Sequence, residues 1–333
     1  MPARERDGGK SAWYPAMRTS TRALFEEARR LSGHSLFDWL HGYVYGRWPY
    51  LYIGVATGEH PLSRILGPMA RWLLNVFGTD AGEDGSDSGA GFADTYHGKA
   101  VPLAQATQLV TVQEDLRLTD LEQVIPYRRA RDIVLKNPDH IVALDCPCRV
   151  SRPEPCEPVD VCLIIGEPFA SFVADHHPGR SRWIEPQEAV EVLQAEDERG
   201  HVHHAFFKDA MLERFYAICN CCSCCCGAMQ AHRIGVPMLA TSGYVCRVQS
   251  ELCVLCGVCA DTCPFGALSL QDGIAVVDEE ECMGCGVCTP TCAPGALALV
   301  RDGSKGEPLD IRELTGPLRG NGGDVASWDG CGE

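Results

Sequence analysis

Hydrophobic positions near the N-terminus recur at helical spacing. Leu24, Ala28 and Leu31 lie three or four residues apart, which predicts one face of a helix. Gly33 can end this helix, because glycine readily adopts the left-handed backbone found at helix C-termini. Aromatic residues are frequent in the segment that follows. We therefore expect residues 1–77 to form a helical, aromatic-rich N-terminal region.

A second amphipathic pattern runs over residues 61–76. Such a face usually packs against a core or another subunit. Arg64 and Arg71 flank it, which leaves contact with a membrane surface as an alternative. Residues 78–91 are rich in Gly, Ser and Asp and contain little to bury, so they predict a flexible acidic linker.

Short apolar runs divide the central region into strands and helices. The apolar runs at 141–144 and 161–165 predict two strands. A helix is expected over 186–200, followed by a strand over 202–207. Pro126 suits the first position of a further helix, where its missing N–H costs nothing, and Tyr127, Ala130, Ile133 and Val134 would lie on one face of this helix. These elements predict a small α/β domain in the middle of the chain.

Composition and charge limit the functional classes to which this protein can belong. The chain has 333 residues, of which 45% are hydrophobic, enough for packed cores in more than one domain. Its net charge of −16 argues against a nucleic-acid binder and suits docking onto a basic patch of another protein. The N-terminus lacks a signal-peptide core, and no apolar run reaches membrane-spanning length. We expect a protein of the reducing cytoplasm.

Cysteine is the residue type that changes this picture most. The chain has 20 cysteines: four between 146 and 162, six between 219 and 226, and eight between 253 and 292. Only Cys246 and Cys331 stand alone. Tight clustering favours metal ligation over disulfides, because a disulfide stabilises most when it closes a long loop.

The last cysteine group lies in an internal repeat. Residues 251–270 read ELCVLCGVCADTCPFGALSL and residues 280–299 read EECMGCGVCTPTCAPGALAL, with 12 of 20 positions identical. Each copy carries C-x2-C-x2-C-x3-C. Three thiolates at this spacing can surround one iron–sulfur cluster, and the fourth cysteine faces the other cluster. Zinc sites instead pair C-x2-C units across longer spacers.

This pattern resembles the bacterial-type ferredoxin that carries two 4Fe-4S clusters. The resemblance implies two ligand sets, one for each cluster: Cys253, Cys256, Cys259 and Cys292, and then Cys282, Cys285, Cys288 and Cys263. It also implies a domain with a pseudo-two-fold repeat that accepts and donates single electrons. Pro264 matches the family's proline after the fourth cysteine, whereas the second copy has Ala293 there.

Ten further cysteines indicate additional metal chemistry: Cys146, Cys148, Cys156, Cys162, Cys219, Cys221, Cys222, Cys224, Cys225 and Cys226. So dense a run of thiols would be prone to oxidation without a metal. The arrangement resembles cysteine-rich segments attached to ferredoxin modules in iron–sulfur oxidoreductases of anaerobes. We expect at least one further iron–sulfur cluster, with zinc and a redox-active disulfide as alternatives.

The ligand subset among these ten is open. The four thiols of 146–162 could form one set and those of 219–226 a second, or both groups could meet around shared clusters. Adjacent cysteines such as Cys221 and Cys222 point in different directions, so we expect them to serve different sites or only one of them to bind. Arg149 and Arg152 are candidates to offset the negative charge of a thiolate-ligated cluster.

The sequence as a whole predicts an α+β protein with five parts. These are a helical region (1–77), a linker (78–91), a cysteine-rich domain (92–245), a ferredoxin-like dicluster domain (246–300) and a loose tail (301–333).

Three functions are compatible with these parts. The leading one is an electron-transfer protein or subunit that serves a redox partner protein, alone or in a larger complex or homo-oligomer. The second is an iron–sulfur reductase, in which a central cluster with an open coordination site binds substrate. The third is a structural metal-binding protein. The sequence leaves open whether the chain is an enzyme.

Overall fold

The structure is a computed structural model that describes residues 17–31, 33–63, 96–127 and 131–316. Most of the amphipathic pattern over 61–76, all of the linker and Cys331 lie outside the described residues. Among the residues that are described, no helix is both long and apolar enough to cross a membrane.

Helices and strands are mixed along the chain, as expected for an α+β protein. The helices are α1 (Thr19–Ala28), α2 (Leu36–Arg47), α3 (Pro49–Ala56), α4 (Leu103–Val110), α5 (Pro147–Val150), α6 (Phe169–His176), α7 (Pro186–Glu198), α8 (Gly227–Arg233), α9 (Val258–Thr262), α10 (Cys288–Thr291) and α11 (Ile311–Thr315). The strands are β1 (Tyr96–Ala100), β2 (Leu116–Leu118), β3 (Ile133–Leu135), β4 (Ile141–Leu144), β5 (Cys162–Ile165), β6 (Ser181–Ile184), β7 (Val202–Lys208), β8 (Arg214–Cys221), β9 (Leu239–Ala240), β10 (Tyr244–Val248), β11 (Leu268–Gln271), β12 (Ile274–Val277) and β13 (Leu297–Arg301).

A seven-stranded sheet forms the centre of the molecule, in the order β6-β4-β5-β8-β7-β1-β9. Its strands pair antiparallel except β1 and β9, which pair parallel. The central part therefore differs from the α/β arrangement expected from the sequence. Helices α1, α2, α6 and α8 cover one face, and α4, α7 and α11 cover the other. Because side chains alternate along a strand, Cys162 faces the first core and Leu163 the second.

Helix α2 packs very closely against helix α6. Ser35 caps it in a capping box with Asp38, which fixes where the helix begins. A Cβ on Gly46 would lie 2.9 Å from the Phe172 ring, so a larger residue would push the helix away. The neighbouring α3 begins with Pro49 in the first turn. These two helices form one wall of the thiol-lined cavity described below.

Two local predictions differ from the structure. The helix expected from Pro126 does not extend to Ile133, which instead begins strand β3 and pairs with β2. Residues 301–316 belong to the segment that was expected to be a loose tail, but they are ordered. Leu309 and Ile311 are buried against α4, and Asp310 caps α11. Burial of these two apolar side chains outweighs the glycine-rich composition.

The repeat folds into two small sheets that carry the cysteine loops. Strand β10 pairs with β13, and β11 pairs with β12, both antiparallel. In each copy the cysteine loop leads into a one-turn helix, α9 or α10. The second copy is not a free-standing module, because Met283, Cys285 and Val287 belong to the same buried core as the thiol-bearing face of the large sheet.

Candidate metal centres

The eight cysteines of the repeat line two separate cavities. One cavity, of about 370 Å³, is lined by Cys253, Cys256, Cys259 and Cys292. The other, of about 340 Å³, is lined by Cys263, Cys282, Cys285 and Cys288, and by a fifth thiol described below. Each cavity takes three cysteines from one copy and the fourth from the other copy. The structure thus brings together the same two sets of four that the resemblance implies.

The two cavities differ in their exposure. Cys256 in the first cavity is exposed, and Leu252, Val254 and Val258 around it are also exposed. In the second cavity, Cys282, Cys285 and Cys288 are all buried. Burial raises the pKa of Cys285. We call these the outer and the inner ferredoxin cavities.

A glycine fixes the loop around the inner ferredoxin cavity. Gly284 has a φ of +61°, and a Cβ there would lie 2.1 Å from the Tyr244 carbonyl oxygen. The Gly284 carbonyl accepts a hydrogen bond of 2.6 Å from the Ser242 hydroxyl. The backbone can therefore pass this point only without a side chain. The sequence does not single out Gly284, because its constraint comes from a distant segment.

Cys246, for which the sequence suggested no role, lies in the wall of the inner ferredoxin cavity. Its Sγ atom is 3.6 Å from Cys288 Sγ, and its backbone N–H lies 3.4 Å from Cys282 Sγ, to which it donates. The side-chain hydrogen bond with Cys246 lowers the pKa of Cys288. Cys246 is therefore placed as a fifth thiol within hydrogen-bonding distance of Cys288, and it can donate to that sulfur when Cys288 is a thiolate ligand.

Replacing Cys246 by alanine is expected to leave the iron content unchanged and to lower one cluster reduction potential. Hydrogen bonds to ligand sulfurs stabilise the reduced, more negative cluster, so losing one disfavours reduction. A redox titration followed by EPR measures the change. Loss of iron from Cys246→Ala, or identical potentials in both proteins, would contradict this role.

Four of the central thiols, drawn from both cysteine-rich segments, form a further group. The Sγ atoms of Cys156, Cys222, Cys224 and Cys225 all lie within 4.8 Å of one another. Cys156 and Cys224 are the closest pair, with 2.9 Å between their sulfurs. We call this group the outer central thiols. It corresponds to the expectation that the two segments meet in space, and not to a separate set drawn from 146–162.

Electrostatics favour thiolate formation at the exposed end of this group. Burial alone would raise the pKa of Cys224. Hydrogen bonds with the other three thiols outweigh burial and hold this pKa below its usual value. Cys224 is the exposed member, whereas Cys222 and Cys225 are buried. Arg152 donates to the Cys225 carbonyl oxygen at 3.2 Å, which places its positive charge beside the group.

The remaining six thiols line one buried cavity between the sheet and helices α2, α3, α5 and α8. We call them the inner central thiols: Cys146, Cys148, Cys162, Cys219, Cys221 and Cys226. A hydrogen bond with Cys148 and burial raise the pKa of Cys146 to about 12. Two of the three adjacent pairs separate, as expected from the sequence: Cys221 and Cys226 belong to the inner group, whereas Cys222 and Cys225 belong to the outer group. Cys224 and Cys225 differ from that expectation, because both belong to the outer group.

Arg149 is a buried cation between the two central groups. Its side chain is 1% exposed and pairs with Glu196, which is equally buried. It also donates to the carbonyl oxygen of Asn220 at 3.0 Å. Burial lowers the pKa of Arg149, but Glu196 and the nearby Cys146 and Cys222 thiols more than offset this and raise it. The guanidinium therefore offsets negative charge on both groups.

The fold and the thiol-lined cavities of the C-terminal region define a cysteine-ligated iron–sulfur module. Residues 252–296 match the family model of the 4Fe-4S dicluster domain. This segment of the chain is therefore a 4Fe-4S dicluster domain, which confirms the resemblance read from the repeat. The match does not extend to the central cysteine-rich region. No curated protein matches the chain.

Proposed function

We propose that the protein is an iron–sulfur electron-transfer protein or subunit. It relays single electrons through two 4Fe-4S clusters to or from a further cysteine-ligated cluster in the central domain. The strongest support for this proposal is that the dicluster domain packs directly on the face of the large sheet that bears the central thiols. Met283, Cys285 and Val287 share a buried core with Cys146, Cys162 and Cys221.

The residues fit the clusters assigned to them. A 4Fe-4S cluster takes four thiolates, and each ferredoxin cavity presents four cysteines of the repeat. All nineteen cysteines in the described part of the chain are free thiols. When bound, the clusters supply reversible single-electron acceptance and donation. The chain supplies the thiolates, the backbone N–H donors to sulfur and the apolar wall that excludes water.

Metal analysis of anaerobically prepared full-length protein tests this proposal. The dicluster domain accounts for about eight irons, and one central cluster raises the total to about twelve, with matching acid-labile sulfide. Fewer than about eight irons would overturn the whole proposal. A central region that holds zinc without sulfide would support a structural role for the outer central thiols, because four thiols also suit tetrahedral zinc.

The redox partner is proposed to dock at the outer ferredoxin cavity. Exposed apolar side chains surround that cavity, and Glu251, Asp261 and Asp272 are exposed close to them in the chain. An apolar centre with an acidic rim suits a redox protein with an apolar contact face and basic side chains around it.

Replacing Val254, which is 68% exposed beside this cavity, by serine is expected to slow electron exchange with a protein partner several-fold. A basic cytochrome serves as the probe acceptor in stopped-flow measurements. Reduction of the protein by dithionite, which needs no docking surface, should be unchanged. Ile234 is 80% exposed on the central domain, so Ile234→Ser is the matched control. Equal rates for both variants, with no dependence on ionic strength, would contradict this docking site.

A second candidate function, an iron–sulfur reductase, is favoured by one specific observation. A cavity of about 570 Å³ adjoins the inner central thiols and shares Cys148 with them. It is lined by Lys208, which is 1% exposed and lies 4.8 Å above the Tyr45 ring. Burial lowers the pKa of Lys208 to about 8. A buried cation beside a metal site suits a small anionic substrate.

Addition of sulfite or nitrite to the reduced protein tests the reductase candidate. If it is correct, one of these anions changes the EPR signal of a central cluster, and Lys208→Met abolishes the change. If neither anion alters any signal or oxidises the protein, the electron-transfer role stands alone.

A further inference from the structure

The ten central thiols are divided by the fold into two groups that do not share a sulfur. The outer central thiols are Cys156, Cys222, Cys224 and Cys225. The other six line a cavity of about 820 Å³ on the inner side of the same loops. Cys222 touches the wall of that cavity, but its Sγ lies within the outer group.

We propose that the inner central thiols form a second, separate iron–sulfur site. This inference deepens the proposed function, because it divides the further cluster of the central domain into an outer and an inner one. The six thiols are Cys146, Cys148, Cys162, Cys219, Cys221 and Cys226.

The inner thiols form one set. All six residues line the same cavity. Cys162 and Cys219 face each other across neighbouring strands β5 and β8. Six thiols around one cavity thus come from segments that are far apart in the sequence.

The surroundings suit a buried cluster better than six neutral thiols. The Arg149 guanidinium, paired with the buried Glu196, adds positive charge at the cavity wall. Apolar side chains, including Leu144, Ile164 and Phe206, close the rest of the cavity.

The number of thiols is sufficient for a cluster. A 4Fe-4S cluster takes four thiolates, and the inner site offers six. The proposed inner site therefore has enough ligands for one cluster of that size, with two thiols to spare. With the outer site filled, the full-length protein is expected to contain about sixteen irons or more.

Iron-edge anomalous diffraction from crystals of anaerobically prepared full-length protein tests the inference directly. The expected result is two separate iron positions in the central domain, one at each thiol group. A single position at the outer group would overturn the inner site and leave the proposed function standing. If iron were found at neither thiol group, both the inner site and the proposed function would be overturned.

Paired variants provide an independent test. Cys156→Ser with Cys224→Ser is expected to remove about four irons and leave the inner site loaded. Cys162→Ser with Cys219→Ser is expected to remove the inner irons and leave the outer site loaded. Ser223→Ala, in the same loop, should change neither. The unchanged EPR signals of the dicluster domain report that each variant is folded. If either pair removed all central iron from a folded protein, the two groups would be one site.

Discussion

Replacing Cys285 by serine is expected to remove about four irons from the protein and to stop electron exchange between the dicluster and central regions. Cys285 is buried in the inner ferredoxin cavity and also packs in the core shared with the large sheet. A serine hydroxyl is a much poorer iron ligand than a thiolate. The outer ferredoxin cavity should keep its cluster, because its four thiols lie in a separate cavity.

Iron analysis and EPR of the reduced variant measure this effect. The matched control is Met283→Leu, two residues away in the same loop and equally buried but not a thiol. This exchange conserves volume and should cost less than about 1.5 kcal/mol and no iron. A Cys285→Ser protein with its full iron content would show that the cavity does not hold a cluster through this thiol.

Replacing Arg149 by methionine is expected to lower the free energy of unfolding by about 3–5 kcal/mol. The loss arises because Glu196, 1% exposed, would lose its buried partner and keep only Arg199 and His201, which are more exposed than Arg149. Two hydrogen bonds to backbone carbonyl groups, of Pro158 and Asn220, would also disappear. The central thiols would in addition lose a nearby positive charge.

Denaturant unfolding under anaerobic conditions, with iron content recorded at each step, measures this change. Arg182 is the control, because its side chain is 45% exposed while it pairs with Asp160 and Glu188. Arg182→Met should cost at most about 1 kcal/mol. The double variant Arg149→Met with Glu196→Leu should recover part of the loss. Equal effects of Arg149→Met and Arg182→Met would show that the buried pair is not a special determinant of stability.

The dicluster site could be predicted from the sequence because its information is local. Twelve matching positions in two copies fix the spacing of the ligands, and the resemblance supplies the exchange of the fourth cysteine. The repeat could not reveal why a glycine is needed at 284, because that constraint comes from the Tyr244 carbonyl group. It also could not reveal that Cys246 lies beside Cys288, because the pairing of β10 with β13 brings them together.

The central site could be predicted only in outline. Clustering of thiols indicates metal chemistry, but the partner of Cys156 is decided by the fold, which places it 2.9 Å from Cys224. The same limit explains the error at Ile133. Its β-branched side chain suits a strand, and pairing with β2 outweighs the helix signal of Pro126. The sequence does not indicate a role for Glu196, because its ion-pair partner Arg149 lies 47 residues away in the chain.

We propose that the protein carries electrons on the dicluster domain and on at least one further cluster. A redox titration of anaerobically prepared full-length protein, with EPR spins counted against a standard, checks this proposal. More than about two unpaired spins per chain are expected at full reduction, since each reduced 4Fe-4S cluster contributes one. A count that stops at about two, in protein with the central thiols intact and iron fully loaded, would contradict it.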